Sequence, residues 1–136
     1  MKKKLLMLVI VGIVAVAALC LCGCSKSEPL NLDGEWATEK NEDSNMEATI
    51  KGDVIEIYWM TEDTKALYWA GSVVVPGEDV MSTDEYSWTS QANSEKNDEA
   101  MLASTAKTKK FKYKDGKITY KASALGVTTT MTMSRK

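Results

Sequence analysis

The residues best suited to chemistry are three cysteines, Cys20, Cys22 and Cys24, set within five positions, with no other cysteine in the 136-residue chain. Thiolates at that spacing could clip a metal, enter disulfides or accept a covalent group. A metal clip needs folded backbone and partners around its ligands, whereas these three close an uncharged apolar run, Leu5 to Leu21, that follows Lys2, Lys3 and Lys4. A basic start, an apolar middle and small residues at the close have the layout of a secretory signal peptide. The run is marginal for a permanent span, which usually needs about 20 apolar residues. The remaining chemistry is sparse. The chain has no His, which removes Ser-His-Asp and Cys-His catalysis and His-ligated zinc. The acid pairs Glu42-Asp43, Glu62-Asp63, Glu78-Asp79 and Asp84-Glu85 fall in expected loops or strand ends. Adjacent residues of an extended chain face opposite sides, so no pair forms an acid/base couple by itself. Asp43-Ser44-Asn45 lacks the following Gly and the distal Glu of a calcium loop, and no glycine loop is placed to cradle phosphate. The expectation is a protein that is not an enzyme, with no metal and no dissociable cofactor.

The tetrad Leu21-Cys22-Gly23-Cys24 resembles the lipobox of bacterial lipoprotein precursors: Leu three before the modified cysteine, a small residue, Gly, then Cys. Cys22 stands where that family usually has Ala or Ser. The resemblance implies cleavage between Gly23 and Cys24, a diacylglyceryl thioether on the Cys24 sulfur with acyl chains such as palmitate, and loss of Cys20 and Cys22 with residues 1–23. It also implies a place on the extracytoplasmic face of the cell membrane, as on a Gram-positive cell surface. Residues 24–32 would be the lipidated cysteine and a short polar tether. The seven residues from Ser25 to Asn31 reach roughly 15 Å as a flexible chain, which keeps the domain near the bilayer.

Cleavage would leave 113 of the 136 residues, one small domain. Without Lys2–Lys4 there are 14 basic and 19 acidic side chains, a formal net charge of −5, which argues against a nucleic-acid partner. The charges are unevenly spread. Residues 33–63 hold ten acids against Lys40 and Lys51, while residues 107–121 hold seven lysines against Asp115. Lysines on a strand can meet anionic polymer or lipid headgroups, or can simply guard an exposed strand against edge-to-edge pairing.

Beyond Leu32 the chain reads as short strands between turn signals: 34–40, 46–51, 54–60, 66–75, 84–92, 100–104, 109–114, 117–123 and 127–134. Gly52-Asp53 and Asp115-Gly116 are two-residue turn pairs. Alternation turns Ile55, Ile57 and Trp59 inward, then Leu67, Trp69, Gly71 and Val73, and near the end Val127, Met131 and Met133. The segment 94–105 could instead hold one or two helical turns. A type I′ loop at Asp115-Gly116 pairs Lys114 with Lys117, Lys112 with Thr119 and Lys110 with Lys121. One face of that hairpin is then five lysines, Lys110, Lys112, Lys114, Lys117 and Lys121, a candidate contact for an anionic surface. The other is an aromatic wall. The fold class expected is all-β, a small antiparallel up-and-down barrel following the signal-peptide helix.

The opening Asn31-Leu32-Asp33-Gly34-Glu35-Trp36 and the closing Thr130-Met131-Thr132-Met133-Ser134-Arg135-Lys136 together resemble the lipocalin, or calycin, pattern. There a Gly-x-Trp begins the first strand, and a late basic residue lies across the Trp at the closed end of the barrel. The resemblance assigns Gly34, Trp36 and Arg135 to barrel closure and residues 33–136 to a lipocalin-like domain. This chain is shorter than typical lipocalins and lacks their disulfide and long first loop. Trp59, Trp69, Trp88, Phe111, Tyr113 and Tyr120 are the candidate lining of a pocket, or else the filling of a solid core. The function expected is non-enzymatic binding at the membrane, of a small apolar ligand or an envelope component. The alternative is a solid barrel acting on protein partners as an interaction, exclusion or inhibitor lipoprotein.

Overall fold

The computed structural model describes residues 28–124 and 126–136. Residues 1–27, which hold the expected signal peptide, Gly23, Cys24 and the start of the expected tether, lie outside the described residues. The rest is an eight-stranded antiparallel sheet curled into a nearly closed up-and-down barrel. The strands are β1 (Gly34–Ala37), β2 (Asn45–Lys51), β3 (Val54–Met60), β4 (Lys65–Ser72), β5 (Tyr86–Gln91), β6 (Thr108–Lys114), β7 (Lys117–Ala124) and β8 (Val127–Arg135), with a six-residue helix α1 (Ser94–Glu99) between β5 and β6. Spatial order is β4-β3-β2-β1-β8-β7-β6-β5. The first and last strands are therefore neighbours, and the seam falls between β4 and β5.

Local sequence accounts for most of the strands. In β3, Ile55 and Ile57 are buried while Glu56 and Tyr58 are partly exposed, the period of two that a half-buried strand requires. Asp115 and Gly116 both take positive φ, 53° and 78°, so the β6–β7 turn is the type I′ loop whose twist suits a hairpin. Ladders run Lys114↔Lys117, Tyr113↔Ile118 and Lys112↔Thr119 from it.

Several expectations are corrected. The stretch Ala100–Ser104 is not a strand: α1 occupies Ser94–Glu99, with the Asn93 side chain accepting from the Lys96 N–H, and a turn follows. β1 stops at Ala37 because the Thr38 hydroxyl accepts the Met46 N–H at 2.9 Å, a side-chain cap that ends the ladder. β4 stops at Ser72, short of Val75. Its register slips between Ile57 and Tyr58, so that Ile57 faces Trp69 but Tyr58 faces Leu67. This bulge leaves Tyr68 as the extra residue, buried in the core, and puts Leu67 on the face of Tyr58 instead of that of Trp69. Val127 is 64 % exposed rather than inward and buried.

Residues expected to be tether also join the domain. Pro29 bridges Met81, the Leu30 N–H donates to the Val80 carbonyl at 2.8 Å, and Leu30 and Leu32 are core residues. Two leucines in a polar stretch would otherwise stay in water, and burying such a side chain is worth about 1.5–3 kcal/mol. The Tyr113 hydroxyl ties the same end, donating to the Ser82 carbonyl at 2.9 Å.

The seam is closed by few backbone bonds. Just past the end of β5, Ala92 makes an isolated bridge to Gly71 of β4, and the Gln91 N–H donates to the Ser72 hydroxyl at 2.9 Å. Farther up β4, α1 takes the place of a strand. The buried Asn97 amide accepts from the Ala70 N–H at 2.9 Å and donates to the Ala70 carbonyl at 3.1 Å, the pair of bonds a neighbouring strand would make. The Ser104 N–H then reaches the Tyr68 carbonyl at 2.8 Å. A Cβ on Gly71 would lie 2.8 Å from the Gln91 carbonyl, so only glycine allows this approach.

Candidate functional site

Gly34, Trp36 and Arg135 meet at one end of the barrel. Trp36 is fully buried, its indole N–H donates to the Leu32 carbonyl at 3.0 Å, and the Arg135 guanidinium lies 4.4 Å from its ring centroid. The same guanidinium donates to the Asp33 carbonyl at 2.8 Å and to the Asn31 carbonyl. Gly34 has φ +137°, and a Cβ there would come 3.0 Å from the guanidinium. Trp36 faces Arg135 directly in the β1–β8 ladder. The cluster fastens the entering chain to the last strand, and its chemistry is closure.

The six aromatic residues proposed for a pocket separate into three groups. Tyr113 packs edge-on to Trp36, with centroids 6.5 Å apart, and belongs to the closed end. Trp69 is fully buried with its N–H on the Ser90 hydroxyl at 3.0 Å, and Trp59 stands edge-on to Tyr68. Trp88, Phe111 and Tyr120 form a stack, with centroids 5.0 Å apart for Trp88–Phe111 and 5.3 Å for Phe111–Tyr120.

That stack lies where the β6–β7 hairpin opens. The ladder from the Asp115-Gly116 turn ends at Lys112↔Thr119. In the same register the next hydrogen-bonded pair would be Lys110 with Lys121, two like charges directly opposite one another, an arrangement that destabilises a sheet. The expected pair is not formed. Two side chains supply the partners that β6 withholds: the Lys109 ammonium donates to the Lys121 carbonyl at 2.8 Å, and the Ser123 N–H donates to the Tyr68 hydroxyl at 3.2 Å. On its other side β8 pairs with β1 only through Ser134 and Arg135. The outer half of the β7–β8 hairpin is therefore a two-stranded ribbon.

The opening is a groove of about 870 Å³. Trp88, Phe111 and Tyr120 contribute to its lining, as do Lys109, Lys110, Lys112 and Lys121, and no carboxylate does. Burial holds the Tyr120 phenol well above its usual range, with Tyr68 adding to the effect; its hydroxyl rests 3.2 Å from the Met46 sulfur. Of the five lysines expected to share one face, Lys110, Lys112 and Lys121 border the groove, while Lys114 and Lys117 pair at the turn. Glu85 draws Lys112 and Lys114 to 3.3 and 3.5 Å, and the Lys112 hydrogen bond lowers its carboxyl below the usual range.

Two participants escaped the sequence reading. Lys109 looks like one more surface lysine, and Tyr68 sits at an outward position of an unbroken strand. The inward phase of Lys109, shared with Phe111, was available in the alternation; the bulge that turns Tyr68 inward was not.

Compared with protein-family models, with curated proteins and with solved structures, the chain gives no match.

Proposed function

We propose that this protein is a non-enzymatic binding lipoprotein. It is anchored through acylated Cys24 on the extracytoplasmic face of the cell membrane, and takes a small apolar ligand or an envelope component into the groove between β6 and β7. One observation carries the reading: the strand ladder stops at Lys112↔Thr119 and leaves an aromatic stack within an 870 Å³ groove bordered by lysines. A ligand pocket commonly joins apolar lining to a few polar groups that orient the ligand. The described domain begins its packing at Pro29, so only a few residues would separate it from the acyl chains.

The test is native mass spectrometry of the full chain, produced in a bacterium that processes lipoproteins and extracted gently from its membranes. The expected result is an acylated Cys24 terminus and a reproducible added mass of a few hundred daltons that is lost on unfolding. An unmodified Met1 terminus refutes the anchor. A bare protein mass that persists after incubation with envelope lipids refutes ligand carriage and leaves the alternative, action on protein partners.

A further inference from the structure

Lys109 is the one lysine of the β6 series whose ammonium turns to the interior side. Its neighbours Thr108 and Lys110 are exposed, whereas Lys109 is half-buried. The ammonium bonds the Lys121 carbonyl and the Tyr68 hydroxyl at 2.8 and 3.0 Å, and lies 5.1 and 5.4 Å from the ring centroids of Tyr68 and Trp69. An ammonium has three donors and no acceptor, so one donor is left over. Among the described residues, the ion pairs are those of Lys96, Lys112, Lys114 and Lys136; none involves Lys109. A half-buried cation held by neutral oxygens and π faces is short of counter-charge.

Trp88, which contributes to the same lining, carries a second donor. Trp88 is 4 % exposed, and its indole N–H is buried without an acceptor among the described residues. Buried donors nearly always have a partner, and an exception calls for an explanation. The polar inventory is thus one-sided: donors and cations, with no carboxylate among the lining side chains, beside an apolar aromatic stack.

From this we infer that the groove binds an anionic amphiphile, whose carboxylate or phosphate oxygens accept from the Lys109 ammonium and whose apolar body lies on Trp88, Phe111 and Tyr120. The inference rests on the binding reading above and names the ligand class for that site. A polyanion lying along the outer lysines would satisfy Lys110 and Lys112 without needing the interior ammonium of Lys109. A neutral apolar ligand would leave that ammonium unanswered. The amphiphile answers both halves of the groove.

The test titrates the full acylated chain, in nanodiscs of neutral phosphatidylcholine, with decanoate, decyl phosphate, decanol and inorganic phosphate, using empty nanodiscs as the reference. Decanoate and decyl phosphate are expected to bind saturably, one per chain and at least about tenfold tighter than decanol, as suits a charge-assisted contact. Lys109→Met should bring both acids to the level of decanol, Lys109→Arg should retain most of the difference, and Lys51→Gln, exposed on β2 away from the groove, should change it little. Circular dichroism checks folding; if Lys109→Met does not fold, the comparison of acids with decanol on the unaltered chain decides. Decanol binding as tightly as the acids, with Lys109→Met silent, overturns the anion site while the groove remains a binding site. Inorganic phosphate binding as tightly as decyl phosphate overturns the role of the apolar body. If no compound binds, the groove reading falls together with the inference.

Discussion

Replacing Asn97 by alanine removes the side chain that stands in for a strand at the β4–β5 seam. Asn97 is 6 % exposed and its amide makes both hydrogen bonds to the Ala70 peptide group. In the variant the Ala70 carbonyl keeps the Asn93 N–H at 2.8 Å, but the Ala70 N–H loses its acceptor on that side. Two lost bonds at a net value of about 1 kcal/mol each give about 2 kcal/mol, and orphaning a buried donor independently costs about 1–3 kcal/mol. The two estimates agree. For a domain near 100 residues, each kcal/mol lowers the unfolding midpoint by roughly 4–8 °C, so the drop expected is about 10 °C. Thermal and urea unfolding of the full chain measure it, with Glu99→Ala as a control on the same helix that should change little. Amide exchange at Ala70 should quicken more than exchange at Ile57 on the opposite side of β4, because the seam opens locally before the barrel does. A midpoint unchanged within about 0.5 kcal/mol, the usual size of a surface substitution, would refute the claim that α1 closes the barrel.

Other perturbations test separate parts of the structure. Arg135→Met removes two guanidinium bonds to the carbonyls of Asn31 and Asp33 and the cation over Trp36; a loss of about 1–2 kcal/mol in urea unfolding is expected for so exposed a group, with Arg135→Lys intermediate because an ammonium lacks the fork. Gly71→Ala pushes a methyl against the Gln91 backbone and the Trp69 indole, and should destabilise by about 1–3 kcal/mol as overpacking does; an unaltered midpoint would mean that the seam gives way easily. Glu56 is held below its ordinary value of 4.5, first by the Lys96 hydrogen bond and also by Tyr58. A depressed carboxyl stabilises the fold above its unfolded value, and that contribution is lost as pH falls through the folded value. The stability gap between the natural chain and Glu56→Gln should therefore be present at pH 7 and shrink below about pH 4.5; a gap independent of pH would exclude the Glu56–Lys96 pair as its source. Cys24→Ser should release the chain from acylation, read as the loss of label from a radioactive fatty acid.

Much of the barrel was legible because its signals are local. Ile55 and Ile57 alternate with Glu56 and Tyr58, and Asp115-Gly116 fixes both the turn and the first three pairs of the β6–β7 ladder. The Trp36–Arg135 contact was implied by the resemblance to the lipocalin pattern, and it has a physical reason in that closing a barrel must bring the first and last strands together. The groove was less accessible. Trp88, Phe111 and Tyr120 read as inward residues, but the same alternation also made Trp59, Trp69 and Tyr113 inward, and period alone cannot separate core from groove.

By itself the sequence determined the all-β class, most of the strands, the register at the Asp115-Gly116 turn, the inward phase of Phe111, and the absence of His from any site the domain could build. Tertiary structure decided three things. It turned Tyr68 inward through a bulge against β3, it made Asn97 a substitute strand at the seam, and it ended the β6–β7 ladder where Lys110 and Lys121 would have met. Each decision is a competition between residues far apart in the chain for the same backbone groups or the same space. Such competitions have no period and no local motif, so they are settled only when the strands are brought side by side.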